Sequence, residues 1–73
     1  MKEVIIRSVP IELYKILKFE GMAASGAEAK SVIADGQVKV NGAVETRKRK
    51  KIIPGDVIEF GEDQILVQLE QNS

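Results

Sequence analysis

Five consecutive cations, Arg47-Lys48-Arg49-Lys50-Lys51, are the strongest chemical feature of this 73-residue chain. Such a run can grip phosphate oxygens through charge-assisted hydrogen bonds. By itself it is equally compatible with a solvated loop, a nucleic-acid patch or a membrane-surface patch. The remaining charge is unevenly distributed. All eleven basic residues fall within residues 1–51, where six acids accompany them for a net charge of +5. Residues 52–73 carry five acids and no base, a net charge of −5. The formal net charge of zero therefore conceals a basic segment and an acidic one, and the local field is what governs binding.

Covalent and acid–base chemistry finds little support. The chain has no His and no Cys, which excludes disulfides and the usual zinc and haem ligation. No serine sits in a nucleophile-elbow context. Only Glu62 and Asp63 adjoin among the acids, and at a turn solvated carboxylates are the simpler reading. Neither a P-loop nor a dinucleotide fingerprint is present. Gly21, Gly36, Gly42, Gly55 and Gly61 all fall where the chain must reverse. The expectation is a protein that catalyses nothing, with no metal, no cofactor and no small-molecule substrate. No apolar run approaches the roughly 18–20 residues of a membrane helix. The start Met1-Lys2-Glu3 lacks a signal-peptide pattern, so a cytoplasmic protein without a membrane partner is expected.

The elements that must position the cations follow from periodicity. Residues 3–7 read as a strand. Pro10 suits a first helical turn, and Leu13, Ile16 and Leu17 recur at helical spacing, so residues 10–20 read as helix one, stopped at Gly21. Ser25-Gly26-Ala27-Glu28 is a capping box that opens helix two. Ala29, Val32 and Ile33 form its buried stripe, Lys30 lies off that stripe, and Gly36 is the stop. The period then switches to two. Val38 and Val40 point inward and Lys39 toward solvent. Asn41-Gly42 is a hairpin turn requiring positive φ, with residues 43–46 as the return limb. The basic run is a loop or strand edge, Pro54-Gly55-Asp56 is a turn, and residues 57–60 and 64–69 are strands. The order β-α-α-β-β-β-β predicts an α+β fold, with two N-terminal helices packed on a small, mostly antiparallel sheet. Residues 1–70 form a single domain and 71–73 a frayed tail.

Taken together, Leu13-x-x-Ile16-Leu17-x-x-x-Gly21, Ser25-x-x-x-Ala29-Lys30-x-x-Ile33-x-x-Gly36-x-Val38-x-Val40-Asn41-Gly42 and Pro54-Gly55-Asp56 resemble the S4 domain, the αL RNA-binding motif. The resemblance covers roughly residues 11–60. The segment Val44-Glu45-Thr46-Arg47-Lys48-Arg49-x-Lys51 is similar to the small stand-alone bacterial members of the YbcJ type. The resemblance implies binding of structured RNA, ribosomal RNA being the implied target, by a monomer whose second helix and following hairpin form the RNA face. Carried onto this chain, it implicates Lys18, Ser25, Lys30, Lys39 and Asn41, with Arg47, Lys48, Arg49, Lys50 and Lys51 extending the face. Ser25 and Asn41 also have plain roles as cap and turn residues. Two positions depart from the family pattern. Gly26 stands where many members have Arg after the cap serine, and Glu12 where many have a base before the first leucine. Both remove phosphate-binding charge and shift the expected contacts toward residues 47–51.

The aromatic residues are few. Phe19 and Phe60 are expected to pack in the core, leaving Tyr14 as the one ring expected at the surface. One ring is no stacking platform for single strands, so phosphate and shape contacts to folded RNA are expected. The competing reading is a protein-interaction module of the same fold, with its acidic C-terminal face as the contact surface.

Overall fold

The computed structural model describes residues 1–71. Its elements are β1 (Lys2–Ile6), β2 (Ile11–Glu12), α1 (Leu13–Phe19), α2 (Gly26–Ala34), β3 (Val38–Val40), β4 (Ala43–Val44), β5 (Lys51–Ile52), β6 (Val57–Phe60) and β7 (Asp63–Leu69). A five-stranded sheet runs in the order β1-β7-β6-β3-β4, and β2 and β5 form a separate two-stranded ribbon. Only the β1–β7 pair is parallel. The fold is thus the α+β class that the period switch predicts. Residues 72–73 of the expected tail lie outside the described residues, and Gln71 is exposed.

The two helices cover one face of the sheet. Leu13, Ile16 and Leu17 of α1 and Ala29 and Ile33 of α2 pack with Val4, Ile6, Val38, Val40, Ile58, Ile65 and Val67 into one buried cluster. Strands β1, β3 and β7 contribute alternate residues to it, as the pleat requires. Ser25 caps α2, its hydroxyl accepting the Glu28 amide at 3.1 Å, while the Glu28 carboxylate accepts the Ala24 amide at 2.8 Å. Asn41 and Gly42 have φ of 53° and 84°, the left-handed pair that the hairpin needs. The Asn41 side chain then ties the hairpin to the Pro54-Gly55-Asp56 turn. Its Nδ2 donates to Asp56 at 2.9 Å and its Oδ1 accepts the Val57 amide at 2.9 Å.

Several expectations are corrected. Helix one does not begin at Pro10. Ile11 and Glu12 pair antiparallel with Ile52 and Lys51, and the helix opens only at Leu13. Pairing with the fully buried Ile52 outweighs the local helical pattern. Phe19 is not core but 69% exposed. It is the last residue of α1 and lies at the rim of a groove beside β1, not beneath the sheet. Val32 and Phe60 are only partly buried at the margin of the cluster. The return limb pairs through Ala43–Val44 alone, although the Glu45 amide still donates to the Val38 carbonyl at 2.9 Å.

Candidate nucleic-acid interface

Helix α1 begins without a capping side chain, because Glu12 at its N-cap makes no such hydrogen bond. The first amides of a helix need acceptors, and the basic loop supplies them. The Leu13 amide donates to the Lys50 carbonyl at 2.8 Å and the Tyr14 amide to the Lys48 carbonyl at 3.2 Å. A tight turn inside the loop, Lys50 amide to Arg47 carbonyl at 3.2 Å, fixes its shape. The loop backbone is therefore committed to the helix, and Lys48, Arg49 and Lys51 are left exposed, with Lys50 half-buried. Arg47, Arg49, Lys50 and Lys51 line a shallow cleft of about 380 Å³.

Tyr14 is the hub that joins this loop to helix α2. A methyl group placed on Gly26, the first residue of α2, would meet the Tyr14 ring at an ordinary contact distance of 3.8 Å. The Lys30 ammonium stands 4.6 Å from the ring centroid and the Lys15 ammonium 6.0 Å. Both fall within the range of cation–π attraction. Lys18 is exposed one helical turn beyond Tyr14, on the same side of α1. Tyr14 thus meets Lys30 and the start of α2 with its ring, and the Lys48 carbonyl of the basic loop with its amide.

Acids within the loop region select which cations remain open. Glu45 holds Arg47 with both oxygens, at 3.0 Å to Nε and 3.1 Å to Nη2, and also accepts the Arg47 amide at 3.0 Å. Glu12 pairs with Lys15 at 3.3 Å and more loosely with Arg49 at 3.8 Å. Among the described residues Lys18, Lys30, Lys39, Lys48, Lys50 and Lys51 have no ion-pair partner. The hydrogen bonds from the Arg47 side chain, and then from its amide, hold the Glu45 carboxyl at about 2, below its ordinary 4.5. A depressed carboxylate contributes stability that is complete above its unfolded value and fades as the pH falls toward its folded one. Acid unfolding should therefore steepen between about pH 4.5 and 2. In the Glu45→Gln protein that part of the pH dependence should be absent, as followed by circular dichroism. An unchanged acid profile would show that the pair does not form in solution.

Two expected residues are not brought into this cluster. Lys39 pairs across the ladder with Glu59 and Val44, on the sheet face turned away from the helices. Asn41 has its side chain engaged in the Asp56–Val57 latch. Conversely, sequence reasoning misses the parts played by Tyr14 and Lys15. A usable signal exists in the sequence: residues 9–12, just before helix α1, include no Ser, Thr, Asp or Asn, so its amides must find acceptors elsewhere.

A family model described as S4 domain matches residues 4–68. A protein of Escherichia coli (strain K12) named "Putative RNA-binding protein YbcJ" is 54% identical over 57 residues, covering 78% of this chain and 81% of its own. A Shigella flexneri protein named "Uncharacterized protein YbcJ" matches over the same shares. The solution structure of YbcJ from E. coli superposes with a TM-score of 0.72 at 48% identity, covering 93% of this chain and 87% of its own. That structure is described as revealing an αL motif involved in RNA-binding.

Proposed function

This chain belongs to the S4 domain family, and from that premise we propose that it binds folded RNA, ribosomal RNA being the target class, through the face centred on Tyr14. One observation carries the reading. The amides of α1 fasten the backbone of the basic loop, so that Lys48, Lys50 and Lys51 are held at the end of α1 where Lys30 covers Tyr14. A preorganised set of ammonium groups loses less entropy on gripping phosphates than a flexible tail would. Contacts of this kind position a backbone and carry little base information. Arg47 and Arg49 stand at the rim of the cleft, already partly neutralised by Glu45 and Glu12. Ser25 lies at the α2 end of the face. Lys39 lies across the sheet, outside the principal contact, and Asn41 serves as the latch. The protein's role is binding without catalysis, in the cytoplasm where ribosomal RNA resides.

Tyr14 is a support in this mechanism. Lys30 already covers one face of its ring, and a single ring is no stacking platform for successive bases. A titration at fixed salt against an RNA hairpin and an oligo-U of matched length should give tighter binding to the hairpin. Tyr14→Ala in a folded protein should weaken binding modestly by loosening Lys30. Preference for oligo-U would replace phosphate and shape recognition by stacking. An RNA affinity insensitive to salt would remove the phosphate mechanism, because phosphate contacts release counterions.

A further inference from the structure

Strand β1 is the outermost strand of the sheet and is bonded on one side only, to β7. The Ile6 carbonyl accepts the Glu70 amide on that side at 2.8 Å. Backbone groups alternate along a strand, so Lys2, Val4 and Ile6 face β7, while Glu3 and Ile5 present free N–H and C=O groups to solvent, with the N–H of Arg7, in the bend just past the strand, following them. Edge strands usually resist further pairing through short length, a bulge, a proline or charged side chains. Here Lys2 to Ile6 pair residue for residue with β7, with no bulge.

We infer that two copies of this chain associate through β1, antiparallel, about a twofold axis at Ile5. The side chains select this register. Glu3, Ile5 and Arg7 share the face of the sheet turned away from the helices, and their charges are arranged oppositely about Ile5. With the axis at Ile5, Glu3 meets the partner's Arg7 on both flanks, and Ile5, 55% exposed, meets the partner's Ile5. In that register every residue with free backbone groups faces another such residue, which is the hydrogen-bonded pair of an antiparallel ladder. An axis at Glu3 would set like charges against each other. An axis at Val4 would leave Glu3 opposite an isoleucine. The present partners are replaceable. Arg7 touches Glu70 at 3.1 Å with its side chain 86% exposed, and Glu3 receives only a 3.3 Å hydrogen bond from Gln68.

A second feature lies beside the same edge. A groove of about 330 Å³ between β1 and α1 is lined by Val4, Ile6, Ile11, Ile16 and Phe19. The Phe19 ring is 69% exposed, and an added strand would cover the groove's mouth. The other sheet edge, β4, has only two residues, too short to pair in turn. Association therefore closes at a dimer, as an isologous interface should. It leaves the Tyr14 face free, since the basic loop follows β4 at the opposite edge of the sheet. A monomer is what the sequence leads one to expect, and the free edge argues against it.

Sedimentation of the full chain over a wide concentration range provides the test. The apparent mass should rise from 8.0 kDa toward twice that value. Glu3→Arg and Arg7→Glu should each abolish the rise, and the double exchange E3R/R7E should restore it. Ile5→Lys, at an exposed position that leaves the core untouched, should also abolish it, with circular dichroism confirming the fold. A wild-type chain that stays monomeric at millimolar concentration overturns the inference. So does a dimer indifferent to the charge exchanges, which would lie on another surface.

Discussion

Replacing Lys48, Lys50 and Lys51 together with alanine should flatten the log–log salt dependence of RNA binding by roughly 2–3, taking about 0.7–0.9 for each phosphate no longer neutralised. The same slopes correspond to a fall in affinity on the order of 100-fold near ~0.1 M salt. These ammonium groups lack a carboxylate partner among the described residues, so nothing inside the protein compensates their charge. The fold should survive, because the loop holds α1 through the Lys48 and Lys50 carbonyls, which alanine retains. Arg47→Ala alone should do less. Its guanidinium is already bound by Glu45 and has less of its charge to offer a phosphate. Filter binding or fluorescence anisotropy at several salt concentrations measures both variants. Equal slopes for the triple variant and the parent would remove the basic loop from the interface.

Leu13→Ala should be the most damaging single substitution for stability. Leu13 is fully buried where α1, the sheet and the loop meet, and truncating a buried leucine costs about 2–5 kcal/mol. A folded domain has only about 5–15 kcal/mol in all, and one this small sits near the lower end. At roughly 4–8 °C per kcal/mol for a domain of this size, Tm should fall by about 10–40 °C. The melting curve followed at 222 nm reads this directly. A fall of only a few degrees would mean that the helix–loop junction repacks around the missing side chain. Alanine keeps the amide that donates to Lys50, so RNA affinity should fall only in parallel with the folded fraction.

The parts of the fold legible in the sequence are those written in local chemistry. Ser25 and Glu28 announce a helix start because the cap closes within four residues. Asn41-Gly42 announces a hairpin because few other pairs accept its φ values. The alternation of Val38, Lys39 and Val40 separates inside from outside. What stays hidden depends on partners distant in the chain. Ile11 and Glu12 look helical until Lys51 and Ile52 come alongside. The parallel pairing of β1 with β7 joins the two ends of the chain, and no short-range pattern encodes it. Alternation directs Lys39 to solvent, yet it does not tell which of the two sides of the sheet carries the helices. Phe19 reads as core from its apolar neighbours, although at the last position of α1 it stands exposed. In the candidate site the cations themselves are legible. Their division into neutralised arginines and open lysines is not, because it depends on where Glu12 and Glu45 come to rest.

The carbonyls of Lys48 and Lys50 are acceptors for two helix amides, and this makes the loop and the helix start a single opening unit. Neither Leu13 nor Tyr14 can exchange its amide proton for deuterium without the loop lifting away. Any ligand that binds only the closed loop lowers the population of the open form by mass action. Two backbone protons on a helix that need not touch the ligand therefore become its reporters. Their exchange rates should slow in proportion to occupancy, and a protection-factor titration at these two amides yields an affinity without any label on the RNA.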